Sequence, residues 1–282
     1  MIKHIPVLLD SVMDALGDVR GLHILDATFG AGGYTRAFLK AGASVVAFDR
    51  DPNVLSDVQE IQKEYPKSFR FIPHPFSTMG ELDERFDVIV FDLGISSMQI
   101  DNPERGFSFR ADAPLDMRMS AKGPTIVDMF TTWTTADITK ILRDYGDVKP
   151  AVAIAKAIKE SVPKTTFELK SLIHNPKDVA PVFQALRIAL NDELGEISRA
   201  LSMVPNMLNP GGRCICVTFH SLEDRVVKNT FRDWCSIAGD PRMPIIESPK
   251  FELIKPKTPT NQEIESNPRS RSAHMRGVKK SC

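Results

Sequence analysis

The chain has 282 residues, with 36 Lys+Arg against 36 Asp+Glu. That length suits one large α/β domain, or one domain with a sizeable insertion, and a core burying roughly 75% of the unfolded surface needs no disulfide or metal staple. Zero formal charge excludes a whole-molecule electrostatic signature of nucleic-acid binding, so any such function rests on a local patch.

The opening segment has no long apolar h-region and no small-residue cleavage site, and no apolar run reaches membrane length; a cytoplasmic, non-membrane protein is expected. Residues 7–16 read as a short helix, with Pro6 where a first turn tolerates it. Leu22–Asp26 is the first strand, followed by a glycine turn, a helix over 34–41 and Gly42 as its C-cap. Ser44–Phe48 is the second strand, closed by Asp49-Arg50-Asp51-Pro52 and followed by a helix over 52–63. Phe69–Ile72 and Phe86–Phe91 are the third and fourth, the latter closed by Asp92-Leu93-Gly94. Near-continuous apolar strands alternating with helices predict a Rossmann-like α/β fold, its parallel sheet covered on both faces.

Beyond Gly94 the rhythm breaks. Residues 96–124, rich in Arg, Asp, Pro and Met, read as loop. Helices follow: a Thr134/Asp137 capping pair with a segment to Gly146, helical spacing over 149–160, and a capping box at Thr165–Glu168. One long amphipathic helix is predicted from Pro181 to about Leu208. The fifth strand is Arg213–Phe219, then a helix carries Val226, Val227, Phe231 and Trp234. A parallel crossover needs only one helix. The surplus is therefore an inserted helical subdomain over 104–180, with 1–103 and 181–282 forming the sheet domain. Residues 236–268 read as loop with one short strand, and the last sixteen residues hold Arg269, Arg271, Arg276, Lys279 and Lys280 with no acid. Cys214, Cys216, Cys235 and Cys282 show no Cys-x-x-Cys spacing, so free thiols and a reducing compartment are expected.

The chemistry concentrates where the first strand meets its turn. Gly30-Ala31-Gly32 is followed by Gly33, Tyr34 and Thr35, so the third glycine of the dinucleotide fingerprint is missing. Asp26 lies four residues before Gly30, a spacing similar to S-adenosylmethionine sites, where the turn lies along the amino-acid part of the cofactor. Asp49, nineteen residues after Gly30, can accept two ribose hydroxyls, a feature both cofactor classes use. Asp92 closes the fourth strand where methyltransferase-like sheets hold the adenine and the reacting sulfonium; it suits adenosine or amine contact. The Pro-Pro-aromatic that amine methylases often carry after it is absent. Phe76 either stacks near an adenine or packs in the core. His220 is either a substrate contact or proton acceptor, or it fixes its loop to Ser221 or Glu223; no His-x-x-x-His or His/Cys cluster points to a metal. Arg105, Phe107, Phe109, Arg110, Arg118 and the basic tail are candidates for phosphates and unpaired bases, the alternative being a solvated loop with buried aromatics.

Nine stretches occur in order: His4-Ile-Pro-Val-Leu-Leu, Asp26-Ala-Thr-Phe-Gly-Ala-Gly-Gly33, Asp49-Arg-Asp-Pro52, Asp92-Leu-Gly-Ile-Ser-Ser97, Arg105-Gly-Phe-Ser-Phe109, Pro114-Leu-Asp-Met-Arg-Met119, Phe183-Gln-Ala-Leu-Arg-Ile188, Phe219-His-Ser-Leu-Glu-Asp-Arg225 and Asn267-Pro-Arg-Ser-Arg-Ser272. Together they resemble the bacterial small-subunit rRNA cytosine-N4 methyltransferase family over nearly the whole chain. The resemblance implies S-adenosylmethionine as methyl donor. It implies, as acceptor, the N4 amine of a decoding-site cytidine (position 1402) in 16S rRNA of the small ribosomal subunit, and an RNA-recognising helical insertion. By matching motifs, the cofactor contacts fall on Gly32, Gly33, Tyr34, Asp49, Phe76, Asp92 and Gln99. Tyr34 stands where the family usually has His, and Met98 where it usually has Pro; a cofactor contact through the Tyr34 backbone tolerates the change, one through its ring does not. The residues alone leave two alternatives open: a methyltransferase of DNA or a small molecule, and a non-catalytic nucleotide-binding protein. Nothing in the sequence sets the oligomeric state.

Overall fold

Consecutive apolar residues in the predicted strands do form a sheet covered on both faces. Val88, Ile89 and Val90 are all fully buried, and neighbours on a strand point to opposite faces. The computed structural model describes residues 6–236 and 249–282. His4 and Ile5 of the first motif, and 237–248 of the expected loop, lie outside the described residues. In chain order the elements are α1 (Leu9–Leu16), β1 (His23–Asp26), α2 (Gly33–Lys40), β2 (Ser44–Phe48), α3 (Leu55–Glu64), β3 (Phe69–Ile72), β4 (Phe86–Asp92) and α4 (Ser97–Asp101). Then come α5 (Ile126–Thr132), α6 (Thr135–Gly146), α7 (Ala151–Ser161), α8 (Thr166–Ser171), α9 (Pro176–Asn191) and α10 (Glu193–Met207). The remainder is β5 (Leu208–Thr218), α11 (Ser221–Trp234), β6 (Phe251–Lys257), α12 (Asn261–Ser266) and β7 (His274–Lys280).

These elements form two units, Met1–Gly94 with Leu194–Cys282, and Ile95–Glu193. The sequence places an insertion over 104–180; the second unit is wider at both ends. The first unit holds one sheet of order β3-β2-β1-β4-β5-β7-β6. The first five strands are parallel, with Leu25 of β1 opposite Val46 of β2 and Ile89 of β4. β7 runs antiparallel to both β5 and β6, so the sheet is mixed where an all-parallel one is expected. The basic tail is thus an interior strand. Its apolar positions, Met275 and Val278, are fully buried, but three cations over seven residues hide the strand signal. At Gly277 a Cβ would lie 2.6 Å from Ile215 Cδ1, so the glycine permits the close pairing. The α/β, Rossmann-like class stands as expected.

Four further local differences have physical causes. α1 starts at Leu9, not at 7, because Leu8 takes a left-handed conformation (φ 56°). The loop expected over 96–124 contains α4, opened by a capping box in which Ser96 and Gln99 bond each other's backbone. The single long helix is two helices, α9 and α10, separated by Asp192 at φ 48°. One left-handed Asp breaks the backbone without disturbing the three-and-four spacing of leucines, and no Gly or Pro marks the break. α12 lies in the stretch read as loop; Thr260 caps it, its side chain accepting from Glu263 N.

The second unit buries Phe130, Ile138, Leu142, Ile158 and Leu186 in its own core. Besides the Ser96/Gln99 box of α4, three capping boxes open its helices: Thr125/Asp128, Thr134/Asp137 and Thr165/Glu168.

Candidate functional site

Because β1, β2, β4 and β5 are parallel, their C-terminal ends share one edge of the sheet. The sequence puts the glycine turn, Asp49, Asp92 and His220 just beyond those ends, and the fold brings them to that edge.

Asp26, at the end of β1, is fully buried. Thr35 Oγ1 donates to its Oδ2 (2.6 Å) and Thr28 N to its Oδ1 (3.2 Å). Burial outweighs these bonds and raises its pKa from 3.8 to about 6. Asp26 therefore ties the turn together. Asp49 holds the turn from the other side. Gly30 N donates to Asp49 Oδ2 (2.8 Å) and Asp51 N to Oδ1 (2.8 Å), while burial pushes its carboxyl upward. Each carboxylate oxygen retains a second lone pair, so a diol can still bind.

The glycines are sterically required. Gly32 has φ +73°, and a Cβ there would lie 2.8 Å from Ile61 Cδ1 and 2.9 Å from Phe29 Cζ. A Cβ on Gly33 would lie 2.3 Å from Pro6 Cγ. Arg36 N donates to Gly32 O (2.9 Å), the first intrahelical bond of α2, so the Gly33 and Tyr34 amides stand ahead of it at the helix N-terminus. The Tyr34 ring is buried beside Phe38, and its hydroxyl donates to the Val7 carbonyl. Its backbone alone is available at the turn. Leu8 N in turn donates to Glu263 Oε1 (2.6 Å), so α12 braces the same segment.

Asp92 N donates to Thr28 Oγ1 (2.6 Å). Its Oδ1 is buried with no hydrogen-bond partner among the described residues. Burial, then the nearby Asp26 and Glu223 carboxyls, hold Asp92 well above the ordinary carboxylate range. Phe76 begins a short 3-10 turn after β3; its ring is half-buried and edge-on to Phe91 at 5.7 Å. His220 caps α11. Its Nδ1 accepts from Glu223 N (3.4 Å) and its Nε2 lies 3.0 Å from Glu223 Oε1, while Glu223 Oε2 accepts from Phe219 N (2.9 Å). That geometry matches the loop-fixing alternative. Thr28 and Thr35 were not singled out in the sequence; their signal is a hydroxyl on each side of the glycines.

Other candidates lie in the second unit. Gln99 Oε1 accepts from Ser96 N (3.0 Å) in the cap of α4, and Met98 sits inside that helix. Arg105 Nη2 donates to the carbonyls of Arg118 (2.8 Å) and Met119 (3.0 Å). Arg118 Nη2 donates to Asp116 Oδ2 (2.6 Å) and its Nη1 to Gly123 O (2.8 Å). Phe107 is buried, and Phe109 packs edge-on against Phe183 at 5.3 Å. These side chains build the 105–123 loop; Arg110 is exposed. Asn191 clamps the same loop, accepting from Met119 N (2.8 Å) and donating to Met117 O (2.8 Å).

The model of the MraW methylase family matches residues 1–281. The chain belongs to the MraW methylase family. Its relatives include the ribosomal RNA small subunit methyltransferases H of Brucella anthropi and Brucella canis. Each is 44% identical over 98% of this chain, which spans 86% and 87% of their lengths. A solved rRNA methylase of Streptococcus thermophilus aligns over 100% of this chain and 99% of its own, at 15% identity and TM-score 0.46, too distant to add to what the sheet order shows. Membership in the methylase family makes S-adenosylmethionine the methyl donor. The residues fit it: a cradle that excludes any Cβ at Gly32, helix-end amides, the Asp49 carboxylate, and a buried acceptor on Asp92. No helix of the described residues is long and apolar enough to cross a membrane.

Proposed function

We propose that this MraW-family methylase methylates the N4 amine of a decoding-site cytidine, position 1402, in 16S rRNA of the small ribosomal subunit. The observation that carries the site is Asp92 Oδ1, buried without a partner at the end of β4 beside the glycine turn. The substrate class follows the names of relatives 44% identical over 98% of the chain.

When bound, S-adenosylmethionine supplies an electrophilic methyl. Around it, the Gly32–Gly33 backbone and the Tyr34 amide hold the amino-acid part, Asp49 accepts the ribose hydroxyls, and Phe76 and Asp92 line the nucleoside. Gln99 joins the set by motif. The lone pair of a cytosine amine is delocalised into its ring, so the site has to align the nitrogen and accept its N–H bonds as it becomes pyramidal. Positioning supplies much of such a rate enhancement, and an acceptor stabilises the developing positive amine. The cationic product loses its proton readily, so no strong base is required, in keeping with His220 acting as a helix cap. The target base leaves its stack to be methylated. The helical unit Ile95–Glu193 is assigned to RNA recognition.

The test is transfer of labelled methyl to isolated 30S particles against naked rRNA, DNA and metabolite pools, with mass mapping of the modified nucleotide. Label confined to N4 of that cytidine is expected. No label in any RNA, or label only in DNA or small molecules, rejects the proposal.

A further inference from the structure

We propose that the exposed basic turn Arg269–His274, with Arg225 of α11, holds the phosphodiester backbone of the RNA strand that carries the acceptor base. This rests on the RNA reading above and names a surface for it.

The acid-free tail is uniform in sequence but divides in two in the fold. Its later cations serve the structure. Arg276 forks onto Asp224, Nε to Oδ1 at 2.6 Å and Nη2 to Oδ2 at 2.8 Å. Lys280 Nζ donates to the carbonyls of Pro205 (2.7 Å), in the last turn of α10, and Leu208 (2.8 Å), the first residue of β5. Lys279 pairs in register with Arg213, also toward that start. The earlier half lies at the other end. His274 is exposed and in register with Thr218, the last residue of β5. The turn Pro268–Ser272 precedes it, so Arg269 and Arg271 arrive at the edge that carries Asp92 and the glycine turn.

The turn is built to present these side chains. Ser270 is fully buried, while Arg269 and Arg271 on either side of it are exposed. Arg225, also exposed, lies in the second turn of α11, which starts at the same edge. Asp224, next to Arg225 in the chain, is paired with Arg276, and Glu263 of α12 accepts the Leu8 amide. Glu265 of α12 is the exposed acid nearby in sequence. Guanidinium groups present a planar fork that matches phosphate oxygens, and a strand threaded past a methylation site must run along its rim. The turn exposes no large apolar side chain, which distinguishes it from a hydrophobic protein-docking face.

The test uses the full chain with Arg271→Gln, Arg225→Gln, the double variant, and Lys279→Gln as the cation at the opposite end of β7. A fluorescein-labelled single-stranded RNA of about 20 nucleotides is titrated across a salt series, a length that covers several phosphate contacts. Each single variant is expected to weaken RNA binding about 3- to 10-fold and to flatten the slope of log K against log salt by about 0.7 per lost contact. KM for 30S particles rises while kcat, the S-adenosylmethionine Kd and Tm stay put; Lys279→Gln keeps the wild-type slope. An unchanged slope in the double variant, an equal loss in Lys279→Gln, or a parallel loss of cofactor affinity overturns the proposal. So does a poly-glutamate peptide that binds as tightly as RNA with the same sensitivity to the variants. If the wild type methylates 30S particles and the double variant matches it, the surface alone fails. If the wild type methylates no RNA, the functional reading fails and the surface with it.

Discussion

Tyr34 shows how a side chain and its own backbone can serve different ends. The ring is buried and its hydroxyl anchors Val7, while the amide faces the turn. Tyr34→Phe leaves a buried carbonyl without its donor, so a stability loss of about 1–3 kcal/mol is expected in denaturant titration. The Kd for S-adenosylhomocysteine should move less than about threefold, as a retained backbone hydrogen bond dictates; a large change in affinity at unchanged stability would place the ring in the site. Asp49→Asn is expected to act on the cofactor as well as on the turn, whose Gly30 and Asp51 amides its two oxygens accept. Losing a charged acceptor for the ribose weakens cofactor binding by about 1–3 kcal/mol in calorimetry, and unchanged affinity rejects the ribose role. Asp26 carries a pH signature. Its pKa of about 6 when folded exceeds the ordinary 3.8, so between those values the native state binds more protons than the unfolded one. Its contribution to stability is fully present below pH 3.8 and is lost as pH rises through about 6. The difference in unfolding free energy between wild type and Asp26→Asn should shift by about 3 kcal/mol across that window, following 1.36 kcal/mol per unit; a flat difference curve refutes the assignment.

At the scale of elements, both units depend on glycine turns, and the two turns are separable by mutation. Gly106 has φ +69°, and a Cβ there would lie 2.6 Å from Asp116 N and from Pro114 O, backbone atoms that cannot step aside. Gly106→Ala should therefore disrupt the 105–119 loop and abolish methyl transfer to 30S particles, while a Gly32→Ala change abolishes cofactor binding. Retained RNA methylation in Gly106→Ala would show the loop to be dispensable. The glycine turn and β1 to β4 were legible because their signals are local: apolar runs ending in Asp, then glycines. The capping boxes at Thr134 and Thr165 were legible for the same reason. What escaped depended on distant partners. Asp192 breaks the long helix where periodicity runs on undisturbed, and Arg187 spans the break to Glu193 at 2.7 Å. The Arg-Phe loop leaves an RNA surface and a solvated loop with buried aromatics both open in sequence, because the bonds of Arg105 and Arg118 to their own loop go to carbonyls that only the fold brings near. β7 is masked by the cations that let its ends serve different purposes.

At the scale of the molecule, the sheet is completed by a strand far from the strands it extends. β7 lies between β5 and β6, with Met275 opposite Val217 and Val278 opposite Cys214 of β5. Truncation after Ser272 removes that strand and leaves β6 without its partner among the described residues. Such a chain is expected to lose the cooperative unfolding transition of the sheet unit by circular dichroism; a truncated protein with wild-type Tm and cofactor affinity would contradict the interior placement. The same topology has a consequence during synthesis. β4 and β5 are neighbours, yet the whole helical unit Ile95–Glu193 is translated between them. As the chain leaves the ribosome, β1 to β4 must wait with an open edge while that unit emerges and folds from its own local contacts. Joining β5 to β4 closes a long loop, which is slow and leaves hydrophobic strand edge exposed in the meantime. The yield of folded protein in cells is therefore expected to track the rate at which residues 95–280 are translated.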